Sequence, residues 1–212
     1  MLERIVGIAF FVCACNPPSR ERERPPLEGE QPARARDVTI AWLPVTVARH
    51  RDVFRAAAEA HAIDPELLAI VTLVESGGWT KARSPSGARG LMQIMPSTAR
   101  HIAETRGQRY DGGELEDPEH NVDLGAWYFS RQLADFATIE LAAAAYNAGP
   151  GALRLHLEEQ NPLSPQTVRY QSWILGMWDE RDNKTSPTLN AWIRAGGDRL
   201  LARAQAEMST AP

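Results

Sequence analysis

The segment between residues 64 and 78 constrains this chain most, because it predicts one fully buried helix. Asp64-Pro65-Glu66 is a strong helix start, with a capping aspartate, a proline suited to the first turn and an early acidic residue. The large aliphatic residues that follow are Leu67, Leu68, Ile70, Val71, Leu73 and Val74. Such a helix is apolar nearly all round, so we expect it at the centre of the fold, ending at Gly77-Gly78.

Other helices are expected around this one. Proline-led starts are found at Met95-Pro96, Asp117-Pro118 and Ser164-Pro165. The chain is also helical in pattern from about Arg49, in the alanine-rich stretch 138–145 and over 188–208, with a break at Gly196-Gly197. No stretch alternates apolar and polar residues for long enough to form a sheet. The fold class is therefore mainly α, with residues 79–90 as a loop.

Composition limits the classes of function. The chain has 212 residues, 43% of them hydrophobic, which suits one sizeable core but not two full domains. A net charge of −4 gives no positive field that would attract nucleic acid, so no nucleic-acid partner is expected. The five histidines show no ligand spacing, so no metal site is expected. The sequence has no phosphate-binding glycine loop, and no cofactor is expected. A serine-histidine-aspartate triad stays open on sequence alone.

The first fifteen residues predict the export signal of a lipoprotein. A weakly charged start is followed by an apolar stretch over 5–12. The segment ends in Val12-Cys13-Ala14-Cys15, which resembles the bacterial lipobox, where a small residue precedes a lipidated cysteine. Cys15 is then the lipidation site, and Cys13 is removed with the signal, which leaves no disulfide partner. The alternative is a short buried N-terminal strand with two ordinary cysteines.

Residues 16–48 are expected to form a linker rich in proline, arginine and glutamate. Within 16–36 there are five prolines and a single large aliphatic residue, Leu27. Such a stretch cannot bury enough apolar surface to offset the entropy of ordering its backbone, so we predict a disordered tether. The helical domain is expected over 49–180, and 181–212 is expected to form a C-terminal helical extension of unknown role.

Glu75 is the first candidate for chemistry, because it lies at the C-terminal end of the most apolar helix. Desolvation and the negative end of the helix dipole both raise the pKa of a carboxyl placed there. A general acid that works near neutral pH needs such a raised pKa. Spacing alone also fits a Glu75 that points outward from a fraying helix end.

Three blocks of sequence together resemble the soluble lytic transglycosylase (SLT) family, over roughly residues 57–178. The blocks are Glu75-Ser76, the stretch SPSGARGLMQIMP from Ser84 to Pro96, and the stretch AAYNAGPG from Ala144 to Gly151. Family members have a lysozyme-like helical fold, related to goose-type lysozyme, with a catalytic groove. They are lyases that cleave the glycan strands of bacterial peptidoglycan in the cell wall.

The resemblance implies roles for individual residues. Glu75 is the catalytic acid and then the base, and Tyr146 brings its hydroxyl close to that carboxyl. The implied substrate-binding residues are Ser84, Gln93, Met95, Asn147 and Gln166. The implied reaction cleaves the β-1,4 bond between N-acetylmuramic acid (MurNAc) and N-acetylglucosamine (GlcNAc) without water, and it leaves a 1,6-anhydromuramoyl end.

Two positions depart from the family pattern. The family often has an aromatic residue three positions after the catalytic glutamate, where this chain has Gly78 followed by Trp79. It usually has a glutamate in the groove where this chain has Gln166, which keeps hydrogen-bonding ability but loses the charge. We therefore predict weaker or altered sugar binding rather than loss of the chemistry.

The implied partners are peptidoglycan glycan strands and the membrane, which is reached through the lipid anchor. An unidentified protein regulator is a further candidate partner. Asn16 is not the aspartate that retains lipoproteins at the inner membrane, so the expected location is the periplasmic face of the outer membrane. Two alternatives remain at this stage. One is a goose-type lysozyme-like hydrolase with water as the attacking group, and the other is an inactive glycan-binding or scaffolding lipoprotein.

Overall fold

A computed structural model describes residues 37–110, 112, 114–159 and 161–210, and it confirms a mainly helical fold. The helices are α1 (Val45–Ala48), α2 (Arg51–His61), α3 (Pro65–Ser76), α4 (Pro96–Thr105), α5 (Pro118–Phe136), α6 (Ile139–Ala148), α7 (Pro150–Glu159), α8 (Pro165–Asp179), α9 (Pro187–Trp192) and α10 (Asp198–Thr210). A 3₁₀ turn at Glu114–Glu116 precedes α5, and a π-helical segment at Ile193–Gly197 joins α9 to α10. The predicted signal, Cys15 and the stretch 16–36 lie outside the described residues.

Helix α3 is the buried centre of the domain, as its sequence predicts. The Asp64 carboxylate accepts a hydrogen bond from the Glu66 N–H at 2.8 Å, which caps the first turn. Leu68, Ile70 and Leu73 are fully buried, and α2 and α8 pack against the helix. Gly77 ends it in a left-handed conformation with φ 62°. The last turn of the most buried helix therefore carries Glu75.

The three proline-led starts are confirmed at α4, α5 and α8. Asp117 accepts from the His120 N–H at 2.8 Å, and Ser164 accepts from the Thr167 N–H at 3.1 Å, so both caps are formed by side chains. Helix α7 was not predicted. Its Leu155 and Leu157 are 49% and 51% exposed, so its apolar residues do not fall on one buried stripe.

The helical domain begins earlier than the boundary predicted at residue 49. Residues 37–48 were assigned to the linker, yet Val38 and Ile40 are only 4% and 2% exposed. The backbone N–H and the hydroxyl of Thr39 both donate to Glu66 Oε1 at 2.8 Å, which ties this segment to the start of α3. The proline-rich composition stops at residue 36, and the apolar residues that follow it join the core.

The C-terminal extension packs onto the same helical domain. Leu189 and Trp192 of α9 are 8% and 3% exposed, and α10 contacts both α1 and α3. Glu180, which follows α8, accepts from the Thr188 N–H at 3.1 Å and from its hydroxyl at 2.8 Å, so the chain turns tightly into α9. None of the helices in the described ranges is long and apolar enough to cross a membrane.

Candidate active site

Glu75 lies one residue before the end of α3 and is half-buried. Burial raises the pKa of its carboxyl to about 7, and an interaction with the Tyr170 hydroxyl opposes this rise. The sequence predicted the direction of this pKa shift and desolvation as a cause. A carboxyl with this pKa is populated in both protonation states near neutral pH, so it can donate a proton and later accept one.

Two tyrosines lie close enough to Glu75 to interact with its charge. Tyr146, from α6, donates its hydroxyl to the Met92 carbonyl at 2.8 Å. Burial and the charge of Glu75 hold the pKa of Tyr146 well above its usual range. Tyr146 therefore lies near the carboxyl, as the resemblance implied, while its own hydrogen bond goes to the backbone of the loop.

Tyr170, from α8, was missed as a functional residue. It is 5% exposed, and its buried hydroxyl oxygen forms no regular hydrogen bond within the described residues. Its contact with Glu75 is therefore electrostatic, and the hydroxyl is in position to donate to the carboxyl when that group ionises. The sequence feature that could have identified Tyr170 is its position four residues after Gln166, in a stretch that resembles the family pattern.

Side chains from three helices, α3, α5 and α6, form hydrogen bonds to the loop that precedes α4. Asn121 of α5 accepts from the Met92 N–H at 2.7 Å, and it donates to the carbonyls of Arg89 and Leu115 at 3.0 and 2.9 Å. Ser76, beside Glu75, donates to the Leu91 carbonyl at 2.7 Å. Together with the Tyr146 bond, these contacts fix the loop relative to α3. Asn121 is fully buried and was not singled out from the sequence.

Gln93 and Met95 line a pocket of about 200 Å³ at the end of this loop. Thr98, Tyr128, Tyr146 and Asn147 also line it. Gln93 adopts a left-handed φ of 49°, and its Nε2 donates to the carbonyls of Ala82 and Gly90 at 3.2 and 3.0 Å. The loop therefore uses the amide nitrogen of Gln93, and the amide oxygen is the group left for a ligand.

Asn147 and Gln166 line a second pocket of about 470 Å³, which adjoins the first at Asn147 and Ala148. The Thr167 hydroxyl donates to Asn147 Oδ1 at 3.0 Å, so the Nδ2 group is what Asn147 can offer to a ligand. Gln166 is exposed. Four of the five predicted substrate-binding residues thus line two adjoining pockets. Tyr146, which interacts with the charge of Glu75, lines the smaller of them, whereas Glu75 itself lines neither.

Ser84 is the exception among the predicted binding residues, because it lines neither pocket. Its hydroxyl accepts from the Ala88 N–H at 3.0 Å and lies 2.9 Å from the Ser86 hydroxyl. These bonds close the tight loop over residues 84–88. A role for Ser84 in sugar binding stays a prediction.

The packing of α1 explains why residue 78 is not aromatic here. A Cβ atom on Gly78 would lie 2.2 Å from the Thr46 carbonyl oxygen, so no side chain fits at this position. The neighbouring Trp79 is half-buried instead, with the Arg203 guanidinium 5.7 Å from the centre of its ring. The space of the missing aromatic side chain is occupied by the backbone of a helix that the sequence assigned to the linker.

Within the described ranges, no group of three or more histidine, cysteine, aspartate or glutamate side chains is arranged to hold a metal ion. The features of the site are instead one buried carboxyl, two tyrosines and a neutral depression lined with amides. Together with the helical fold, they define a lysozyme-like domain whose central acid is supplied by the end of a buried helix.

Comparison with known sequences places the chain more exactly. The family model described as "Transglycosylase SLT domain" matches residues 52–168, so the chain belongs to this family. It is 37% identical over 112 residues to the soluble lytic murein transglycosylase of Escherichia coli K12, which covers 51% of this chain and 17% of that protein. It is 32% identical over 132 residues to the endo-type membrane-bound lytic murein transglycosylase A of Klebsiella pneumoniae, which covers 61% of this chain and 59% of that protein.

Solved structures share the fold. An inactive glutamate-to-glutamine mutant of lytic transglycosylase Slt from Pseudomonas aeruginosa aligns with a TM-score of 0.56 and 30% identity, over 66% of this chain and 25% of that one. A complex of the 70-kDa soluble lytic transglycosylase with bulgecin A aligns with a TM-score of 0.56 and 28% identity, over 65% of this chain and 25% of that one. The chain therefore spans only part of each relative.

Proposed function

We propose that this protein is a peptidoglycan lytic transglycosylase, in which Glu75 serves as general acid and then as general base. The observation that supports this most is the Glu75 carboxyl, whose pKa is raised to about 7 by burial at the end of α3. The relatives named above are lytic murein transglycosylases, which favours glycan strands of peptidoglycan as the substrate class.

The proposed reaction needs a single carboxyl. Protonated Glu75 donates its proton to the glycosidic oxygen between MurNAc and GlcNAc, and the C1–O bond of MurNAc breaks as the GlcNAc end leaves. The acetamido group of MurNAc stabilises the cationic centre at C1. Ionised Glu75 then takes the proton of the C6 hydroxyl, and O6 bonds to C1 to give the 1,6-anhydro ring. Glu75 ends the cycle protonated, and no water is consumed.

The surroundings of Glu75 suit both steps. The buried environment favours the protonated form that begins the cycle, and the Tyr170 hydroxyl can donate to the carboxylate formed midway. The attacking hydroxyl belongs to the same sugar as C1, so little orientation entropy remains to be lost. The adjoining pockets offer amide groups from Gln93, Asn147 and Gln166, which match the hydroxyl and N-acetyl groups of the sugars.

The test compares the full chain with its Glu75→Gln variant on purified peptidoglycan. Mass spectrometry of the released fragments, before and after borohydride reduction, identifies the new ends. We expect fragments one water lighter than hydrolysis products, unchanged by borohydride and absent with the variant. Reducible ends would contradict the proposal and indicate a hydrolase. Binding to peptidoglycan without any released fragment would indicate a binding protein.

Bulgecin A offers an independent probe, since it is bound to the 70-kDa relative. We expect it to bind the full chain and to lower the rate of fragment release. Gln166→Ala is expected to weaken this binding more than Gln205→Ala, because Gln205 is an exposed glutamine of α10 that lines neither pocket. Equal affinity of the two variants would argue against the second pocket as part of the site.

We further propose that the chain is a periplasmic lipoprotein anchored through Cys15, on the inner face of the outer membrane. The lipobox-like Val12-Cys13-Ala14-Cys15 supports this, and one relative is named as membrane-bound. In a bacterial host fed an alkyne-labelled fatty acid, the full chain should take up the label. Cys15→Ala should abolish labelling, and Cys13→Ala should keep it, since Cys13 leaves with the signal. Labelling that survives Cys15→Ala would overturn the anchor.

A further inference from the structure

The turn that follows Glu75 is enclosed by residues outside the segment matched by the family model. We call residues 77–80 the acid turn, and the match covers residues 52–168. The surrounding residues are Thr46, Arg49, Leu200, Leu201, Arg203 and Glu207. The family match therefore includes Glu75 but not the residues that contact the turn next to it.

Two helix backbones approach this turn closely. A Cβ atom on Gly77 would lie 3.0 Å from the backbone of Leu200 and Leu201 in α10, and one on Gly78 would lie 2.2 Å from the Thr46 carbonyl in α1. Both glycines have positive φ, at 62° and 85°. Only glycine satisfies both the conformation and the lack of space, so α1 and α10 are in backbone contact with the turn.

Glu207 of α10 adds a polar attachment to this contact. Its carboxylate accepts from the Thr80 N–H at 3.2 Å, from the Thr80 hydroxyl at 2.5 Å and from Arg49 Nη2 at 2.8 Å. Burial alone would raise the pKa of Glu207, but the hydrogen bonds from Thr80 and Arg49 outweigh it and lower that pKa. The group is therefore ionised near neutral pH, and its hydrogen bonds are strengthened by charge.

Arg49 extends the attachment to the middle of the turn. Its Nη2 also donates to the Gly78 carbonyl at 3.3 Å, and its Nε donates to His50 Nε2 at 3.1 Å. Burial and the Arg49 charge lower the pKa of His50 to about 4, so His50 is neutral at pH 7. The charged groups that face the acid turn near neutral pH are therefore Arg49 and Glu207, which bind its polar groups, and Arg203, whose guanidinium lies 5.7 Å from the centre of the Trp79 ring.

We propose that Glu207 is a positioning residue for Glu75: by fixing the acid turn to α10, it keeps the last turn of α3 closed and limits the access of water to the half-buried Glu75 carboxyl. The last carbonyl groups of a helix lack helical partners, and helix ends open more easily than helix centres. Glu75 lies two residues before Gly77, so opening of this end would expose it. The effect on the rate rests on the proposed function, whereas the effect on Glu75 itself does not.

The matched control is Glu180, which directly follows α8. Its carboxylate also accepts from a threonine N–H and the same threonine's hydroxyl, at 3.1 and 2.8 Å from Thr188, and its pKa is also lowered. Its side chain has no hydrogen bond to the acid turn within the described residues. Glu180→Gln and Glu207→Gln therefore remove similar interactions from two different places.

The first measurement is a ¹³C NMR titration of glutamate-labelled full chain, with the Glu75 signal assigned by its loss in Glu75→Gln. Tyr146 of α6 and Tyr170 of α8 are the titratable side chains that interact with Glu75, and the pKa values of both are raised well above the usual range. Between pH 5 and 9 the observed titration is therefore that of Glu75. We expect its pKa to fall by about one unit in Glu207→Gln, because water reaches the carboxyl, and to stay unchanged in Glu180→Gln.

The second measurement is the rate of fragment release. Glu207→Gln should lower kcat about tenfold with KM within about twofold, and Glu180→Gln should change neither, although both variants should lower Tm. A Glu75 pKa that does not move in Glu207→Gln would overturn the inference, and so would equal effects of the two variants on that pKa. If the wild-type chain releases no anhydro fragments, the proposed function fails, while the titration still decides the role of Glu207.

Discussion

The two sides of the candidate site are held in different ways. On one side, the acid turn that follows Glu75 is enclosed by the backbones of α1 and α10, and Gly78 has no room for a Cβ atom. On the other side, Gly149 has a similar φ of 88°, yet a Cβ atom there would meet nothing within 4 Å. Gln166 and Leu155 on that side are exposed. We call these the enclosed side and the open side.

The difference follows from what each side is proposed to do. Proton transfer requires the acid within hydrogen-bond distance of one particular oxygen, so small displacements of Glu75 lower the reaction rate. Sugar hydroxyl and amide groups can be bound directly or through water, so the open side tolerates more variation in geometry. The open side still fixes one orientation, because Thr167 holds the Asn147 amide.

The largest expected effect is on the enclosed side, at Glu75. Glu75→Gln keeps the size of the side chain but removes the proton that is donated and recovered. We expect fragment release to fall at least about a thousandfold, because no other group is proposed to replace the acid. The rate of release of anhydro fragments from purified peptidoglycan measures this. A loss of less than about tenfold would show that another residue is the acid.

The same variant should change how stability depends on pH. The pKa of Glu75 is raised in the folded state, so the stability associated with its protonated form is complete below its unfolded pKa and is lost as pH rises through about 7. Glu75→Gln removes this loss. We therefore expect the variant to gain Tm relative to the wild type at pH 8 but not at pH 5. A Tm difference independent of pH would mean that the carboxyl is not desolvated.

Glycine substitutions compare the two sides directly. Gly78→Ala adds a Cβ atom 2.2 Å from the Thr46 carbonyl and also strains a φ of 85°. Gly149→Ala strains a φ of 88° but meets no neighbour within 4 Å. We expect free energies of unfolding to fall by about 4 kcal/mol for Gly78→Ala and by about 2 kcal/mol for Gly149→Ala, measured by urea denaturation. Equal losses would show that α1 does not enclose the turn as described.

On the enclosed side, the sequence predicted helix α3 but not the packing of α1 and α10 against the acid turn. The caps and the apolar run fix α3 locally, so the place of Glu75 in the helix could be inferred from residues 64–78. A raised pKa was one of two possibilities there, because spacing alone also fitted a Glu75 that points outward. The contacts of Gly78 with Thr46 and of Thr80 with Glu207 depend on how distant segments pack, and no local pattern reveals them. Residues 37–48 were assigned to the linker because they follow the proline-rich stretch directly, although most of them are apolar.

The open side was harder to predict for a different reason. Helix α7 presents exposed leucines, so it lacks the stripe by which an amphipathic helix is recognised. Gln93, Asn147 and Gln166 were assigned only by resemblance to a family, since nothing in a lone amide indicates that it lines a groove. Tyr170 was overlooked because a tyrosine on an apolar helix face is ordinarily a core residue.

Tyr170→Phe tests the contact between α8 and the enclosed side. The Tyr170 hydroxyl lowers the pKa of Glu75, so its removal should raise that pKa above about 7. The alkaline limb of kcat/KM should then move to higher pH by about half a unit, with kcat reduced about tenfold. In contrast, Tyr146→Phe should leave this limb in place, because the Tyr146 hydroxyl donates to the Met92 carbonyl instead. A limb that moves equally in both variants would contradict separate roles.

The smallest expected effect is on the open side, at Gln166. Gln166→Glu introduces a charged acceptor into a pocket lined by neutral groups, and hydrogen bonds to charged groups are stronger than those to neutral ones. Measured by calorimetry in the Glu75→Gln background, the Kd for a GlcNAc oligomer should fall about fivefold at pH 7. Gln205→Glu adds the same charge on α10, outside both pockets, and should leave Kd unchanged. An unchanged Kd for Gln166→Glu would mean that the open side does not bind sugar through residue 166.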